Sequence, residues 1–257
     1  MKARFSVLLA AVFALVLSPL RAADSVDQIL ARARAYLGTE SALNSVRSIH
    51  FSGALEATAS VPSATDKNKM VDQLVKLPTE IIFQKDYQQR ISVMAPKVVE
   101  TTALDGYDGW RKSANPANPA QWQVTLLDAG QVKRLRANTW ENLNFFVGIE
   151  KKGGSVKLAG DVTVDGVACV KLSFIHAENI IFHRYFDKAT GRLVKTETES
   201  GGEIREEGEM IVNGVRFPRK VINKGTDGKT TIISFDKVTV NEAIPAAEFA
   251  VPALQTN

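Results

Sequence analysis

The chain has one cysteine, Cys169, and three histidines, His50, His176 and His183, in 257 residues. One cysteine excludes an intramolecular disulfide, and none stands near the start of the chain where a lipid could be attached. His50 and His183 fall in strand-like segments with no second histidine or acid at a ligand interval, so both read as ordinary sheet residues and not as metal ligands. Cys169, within Val-Ala-Cys-Val-Lys-Leu, reads as a buried, inert thiol. The short catalytic signatures are missing as well: there is no Gly-x-Ser-x-Gly, no His-Glu-x-x-His and no Gly-x-Gly-x-x-Gly. Gly225-Thr-Asp-Gly-Lys-Thr230 resembles the end of a phosphate loop, but the full motif needs glycine where Asn223 stands, and the segment joins two strands. A hydrolase would need His176 or His183 beside an acid in a cleft. No cofactor is implied. Trp110, Trp122 and Trp140 read as core or rim residues in preference to stacking platforms.

Only the N-terminus carries a long apolar run. Lys2 and Arg4 precede Phe5 to Leu17, and Ser18-Pro-Leu-Arg-Ala22 follows, the three parts of a secretory leader cut near Ala22. The run is shorter than the roughly 20 residues a membrane-spanning helix needs, so an uncleaved anchor is the weaker reading. The expectation is an exported, periplasmic chain, residues 23–257, that does not span the membrane. The formal charge of +4 less the three cations Lys2, Arg4 and Arg21 leaves +1, which removes any compositional argument for nucleic acid. About 235 residues with no compositional break suit one domain with one sizeable core.

Ser25-Val-Asp-Gln28 has the form of a capping box, and Ile29, Leu30, Ala33, Tyr36 and Leu37 follow at helical spacing up to Gly38. A short turn over 41–46 precedes a first strand over 48–57, and the polar stretch 59–69 reads as a loop. Strand patterns recur over 74–85, where Pro78 marks an edge or a bulge, and over 89–94 and 98–104. Asn115 to Pro119 reads as a loop. From Asp128 to Val147 the period becomes helical, with Val132, Leu135, Thr139, Leu143, Phe146 and Val147 on one stripe and Gly148 as the cap. Strands then follow over 155–158, 167–174, 179–187, 192–199, 203–224 and 229–240, separated by turns too short for parallel crossovers. The fold class is therefore mainly β with some α, an antiparallel meander.

The strongest local signal is Asn213-Gly214, a type I′ hairpin turn. Folding 203–224 about it pairs Val212 with Val215, Met210 with Phe217, Glu207 with Lys220 and Glu203 with Lys224. Alternation puts Met210, Val212, Ile204, Val215, Phe217 and Val221 on one apolar face and Glu203, Arg205, Glu207, Glu209, Arg216, Lys220 and Lys224 on the other. The acids Glu203, Glu206, Glu207 and Glu209 read as a solvated face paired with those bases, not as a carboxylate dyad.

The order of these features resembles the periplasmic outer-membrane lipoprotein carrier (LolA/LolB-like) superfamily. The local matches are Val75-Lys-Leu-Pro78, Asp105-Gly106 with Gly109-Trp110 and Pro116, the Asp187 to Gly191 turn, and Ala243-Ile-Pro-Ala-Ala-Glu-Phe-Ala-Val-Pro252. The resemblance implies a curved, open half-barrel whose concave face is covered by helices, with a lipid or lipoprotein acyl chain between them and no catalysis. Ile49, Phe51, Leu55, Ile81, Phe83, Trp110, Leu135, Leu143, Phe146, Met210, Phe217 and Val221 are the expected ligand-lining residues. Where the carriers have an arginine before the motif's proline, tied to cargo release, this chain has Leu77. The alternative is a non-catalytic envelope module of the same fold that meets a protein partner and holds no ligand.

Overall fold

The structure is a computed structural model that describes residues 24–66 and 68–253; the expected leader lies outside them. Helix α1 (Val26–Leu37) begins as its capping box requires, with Ser25 Oγ accepting from the Gln28 N–H and the Gln28 side chain accepting from the Ser25 N–H. Helix α2 (Glu40–Ser45) follows at once, capped by Thr39. Buried Arg34 ties these helices together and onto the middle of the chain. It donates to both Glu40 carboxylate oxygens and to the Phe145 carbonyl.

Six strands form the first up-and-down run: β1 (Ser48–Pro62), β2 (Met70–Gln84), β3 (Gln88–Ala95), β4 (Val98–Asp105), β5 (Asp108–Asn115) and β6 (Asn118–Leu126). Helix α3 (Ala129–Leu143) leads into the second run: β7 (Ser155–Val164), β8 (Val167–Ala177), β9 (Ile180–Asp187), β10 (Leu193–Glu197), β11 (Glu203–Glu207), β12 (Met210–Val212), β13 (Val215–Phe217), β14 (Lys220–Lys224) and β15 (Thr230–Val240). Thirteen of these make one antiparallel sheet in the order β6-β5-β4-β3-β2-β1-β15-β14-β11-β10-β9-β8-β7. The sheet is open, with β6 and β7 at its two edges. The pairing that joins the two runs is β1 with β15, where Phe51 faces Val238 and Leu55 faces Ile233. A bulge at Ser52/Gly53 interrupts that ladder, and a Cβ on Gly53 would lie 1.9 Å from the Ser234 carbonyl oxygen, so only glycine allows the strands to meet there. Because β6 and β7 are opposite edges, the chain crosses from one run to the other by way of α3.

Several expectations change at this level. The stretch 59–62 is strand, paired backbone to backbone with 70–73, which leaves a loop of only 63–69. Pro78 sits where the β2–β3 ladder has just ended, its last pair being Thr79 with Val93, so its missing N–H costs no hydrogen bond. The connection expected over 115–119 is present as a tight hairpin turn at Asn115 to Asn118, and it joins β5 to β6, neither of which was expected as a strand. α3 stops at Leu143, earlier than the apolar stripe suggested, because Phe145 and Phe146 take positive φ angles of 46° and 75°. Phe146 therefore leaves the helical stripe and packs with Phe174 and Phe186.

The hairpin of 203–224 keeps the expected register at every pair, but it is broken in two. Gly208 at φ 62° and Pro218, which has no N–H to donate, interrupt both strands together, so β12–β13 leaves the main sheet as a separate two-stranded tip. That tip docks on the end of α1. A Cβ on Gly38 would lie 2.4 Å from the Gly214 carbonyl oxygen, and Val215 is fully buried against α2 and β1 residues.

Candidate functional site

Two apolar clusters flank a cavity. In the first, Ile49 and Phe51 of β1, Ile81 and Phe83 of β2 and Phe235 of β15 meet Leu43, Leu143, Phe145, Val215 and Phe217. Phe51 sits at its centre, with ring centroids 4.6 Å from Phe235 and 5.8 Å, edge-on, from Phe217. In the second, Ile29, Leu30 and Ala33 of α1 meet Trp140, Phe146, Val170, Leu172, Phe174 and Phe186. Between them lies a cavity of about 310 Å³, partly open to solvent, within the size range of small-ligand sites.

One wall of this cavity is apolar. It comes from Ile49, Phe51, Ile81, Phe83 and Ile91 of β1–β3 and from Ile233 and Phe235 of β15, with Phe217 and Val221 beside them. The other wall carries the polar groups: Asn138, Glu141 and Asn142 on α3, Arg184 on β9, Thr196 on β10, Glu206 on β11 and Asn223 on β14. Arg184, Thr196, Ile204 and Asn223 stand in one cross-strand row, and Glu206, Val221 and Ile233 in the next. Alternation along antiparallel strands lines such rows up on one face.

Arg184 and Glu141 form a buried ion pair, and the Glu141 carboxylate also meets His176 Nε2 at 2.6 Å. The guanidinium lies over the rings of Phe146 at 4.8 Å and Phe174 at 5.3 Å. Glu206 differs from the other carboxylates of its hairpin. Glu207 pairs with Lys220 as the register predicts, and Glu209 with Arg216, while Glu203 turns to Arg205 and Lys195 instead of its cross-strand neighbour Lys224. Glu206 makes no hydrogen bond or ion pair among the described residues. Its side chain lines the cavity on the open side, where it remains exposed to solvent. Protein atoms packed beside it displace part of its hydration and push its carboxyl above the ordinary glutamate range, opposed by the charge of Arg184.

Of the residues expected to line a ligand site, Ile49, Phe51, Ile81, Phe83, Phe146, Phe217 and Val221 do line the cavity. Leu143 and Met210 belong to the adjacent packing, while Leu55 stands on the strand row beyond Ile233 and Leu135 is half-buried on α3, none of them on the cavity wall. Trp110 departs furthest. Gly109 faces Val132 of α3, so its neighbour Trp110 points to the opposite face of the sheet, where its indole N–H donates to the Phe249 carbonyl at 2.8 Å. The sequence reading missed the polar wall. Glu206 was recoverable, because two-residue alternation gives it the parity of Ile204 and takes it off the solvated face that Glu203 and Glu207 share.

The histidines do not assemble a recognisable catalytic set. His176 lies beside Glu141, as a hydrolase would require, but no hydroxyl or thiol is bonded to it among the described residues, and it is absent from the cavity lining. His183 bonds the Ser173 hydroxyl at 2.9 Å on strand positions that alternate away from Phe174, Phe182 and Arg184. Cys169 is fully buried, which pushes its thiol up. Among the described residues no group of three or more His, Cys, Asp or Glu is placed to hold a metal ion, and no helix is long and apolar enough to cross a membrane.

No protein-family model matches the chain, and no curated protein matches its sequence. Solved structures match its fold. A LolA superfamily protein from Nitrosomonas europaea aligns with TM-score 0.55 at 13% identity, over 89% of this chain and 99% of that one. A DUF1329 family protein from Desulfovibrio piger aligns with TM-score 0.54 at 11% identity, over 89% and 98%. A domain assigned as an outer membrane lipoprotein-sorting protein, from Vibrio parahaemolyticus, aligns with TM-score 0.52 at 10% identity, over 86% and 95%. The chain thus has a LolA-like fold, and none of these three is described as an enzyme.

Proposed function

We propose that this protein is a non-catalytic lipid-binding protein of the cell envelope, exported by its N-terminal leader and folded as one domain over 23–257. In this reading α1, α3 and the β12–β13 tip act as a lid over the concave sheet, and a lipid or lipoprotein acyl chain lies between lid and sheet. The observation that carries it is the cavity of about 310 Å³ walled by Ile49, Phe51, Ile81, Phe83 and Phe235. Such a surface is favourable for an acyl chain, since each methylene taken from water contributes roughly 0.8 kcal/mol without any catalytic group. The LolA-like fold supports the same reading. Leu77 stands opposite Leu55, so an apolar pair occupies the place where the carriers have an arginine, and a handover that used that arginine has no counterpart at this position.

The test is direct. Protein purified without detergent is extracted into organic solvent and the extract is analysed by mass spectrometry. Lipid should co-purify, or the emptied protein should bind an acyl-chain fluorophore. Neither lipid nor fluorophore binding by folded protein would refute the reading and leave the protein-partner alternative.

A further inference from the structure

The cavity is not uniformly greasy, and its asymmetry bears on what it holds. Its apolar wall is built by β1–β3 and β15, while the acids, amides and hydroxyl named on its surface lie on α3, β9–β11 and β14. Phe146, Phe182, Leu193 and Ile204 add apolar surface, and Glu141, Arg184, Asn138 and Asn142 are paired within the protein, but a purely aliphatic guest would still strip water from the Glu206 carboxylate, which has no partner among the described residues. A guest with one apolar and one polar end fits both walls.

The charges on the polar wall define that end further. Arg184 is already matched by Glu141. Arg216, at the cavity's margin, is matched by Glu209 and donates to the Tyr36 carbonyl. Glu206 is left without a counter-ion among the described residues, solvent-exposed on the cavity lining beside Val221 and Ile233. One unmatched carboxylate on the cavity lining favours a cationic, hydrogen-donating group and disfavours a second anion, because like charges at close quarters repel. We propose that the cavity takes an amphiphile whose polar end is a protonated amine, with Glu206 receiving the ammonium and the apolar chain running along Phe51, Ile81 and Phe83. The proposal rests on the lipid-binding reading and specifies its ligand class.

Isothermal titration calorimetry with decylamine, decanol and decanoate, each below its micelle concentration and near neutral pH, separates the possibilities because the three share one chain and differ at one end. Decylamine should bind at least about tenfold more tightly than decanol, as expected for a charge-assisted hydrogen bond, and decanoate should bind most weakly. Glu206→Gln should reduce the amine-to-decanol ratio to within about threefold, since the amide keeps the shape and loses the charge. Glu178→Gln, at an exposed site away from the cavity, should keep the wild-type ratio. Equal binding of all three, tightest binding of decanoate, or an amine preference that survives Glu206→Gln would overturn the proposal while leaving the lipid-binding reading intact. No binding by any of the three to folded protein would overturn both.

Discussion

Filling the cavity from its own wall tests whether a ligand occupies it. Val221 is half-buried on β14, between Glu206 and Ile233, and its side chain lines the cavity. Tryptophan is a good strand former, so Val221→Trp should leave the ladder in place and send an indole into the void. If the ring takes the room of three or four ligand methylenes, binding should weaken by about 2.4–3.2 kcal/mol, or roughly 60- to 200-fold. Stability should hold or rise, because the ring enters open space. Titration with an acyl fluorophore measures the first quantity and thermal denaturation the second. A collapsed or tightly filled interior predicts the reverse pattern: unchanged binding, and a cost of about 1–3 kcal/mol from overpacking. On a chain of this size that cost would lower Tm by roughly 2–12 °C. That pattern would refute the reasoning.

Two further outcomes concern the scaffold. Burial pushes the Glu197 carboxyl up, but hydrogen bonds from Lys195 and Tyr185 and the charges of Lys195 and Lys171 more than offset it and hold the group at about 2, against an ordinary 4.5. A lowered carboxyl pKa stabilises the fold above the unfolded value, and that stability fades as pH falls from about 4.5 towards 2. With the side chain 31% exposed, solvent screening reduces the contribution to about 1–2 kcal/mol. Urea denaturation should show that deficit for Glu197→Gln at pH 7 and almost none at pH 2; a pH-independent deficit would contradict the linkage. Gly53→Ala should cost about 2–4 kcal/mol in the same assay, because the new methyl group meets a carbonyl of the strand pairing that joins the two runs. A change under about 0.5 kcal/mol would show that the bulge does not need glycine.

Much of the fold was legible because its signals are local. The Ser25 capping box, the Asn213-Gly214 turn and the short turns of the second run each specify backbone conformation within a few residues, and the structure keeps them. β5 and β6 were missed although Ala120, Trp122, Val124 and Leu126 alternate with Gln121, Gln123 and Thr125, because the glycines of 106–109 and the prolines at 116 and 119 read as loop and masked the short strands beside them. The end of α3 was misjudged because Phe146 continues the apolar stripe in sequence, while packing against Phe174 and Phe186 takes it out of the helix.

The site was half legible for a related reason. Apolar residues on alternating positions of β1, β2 and β13–β14 announce a buried face, and Phe51, Phe83 and Phe217 are on it. The polar wall could not be read in the same way. Glu141 is far along the chain from both His176 and Arg184, and it meets them only because α3 runs between the two sheet edges. Trp110 could be placed in either face until Gly109 was seen against α3.

The sequence by itself determined the class of the fold, the register of the 203–224 hairpin and the existence of one apolar face, because propensity, turn chemistry and two-residue alternation act over short distances. Only the tertiary structure decided that the two runs join through β1 and β15, that the hairpin tip breaks away at Gly208 and Pro218 to dock on α1, and that Glu206 faces a cavity with no partner among the described residues. Those outcomes depend on which surfaces meet across the whole chain, and long-range packing leaves no periodic mark on the residues that share it.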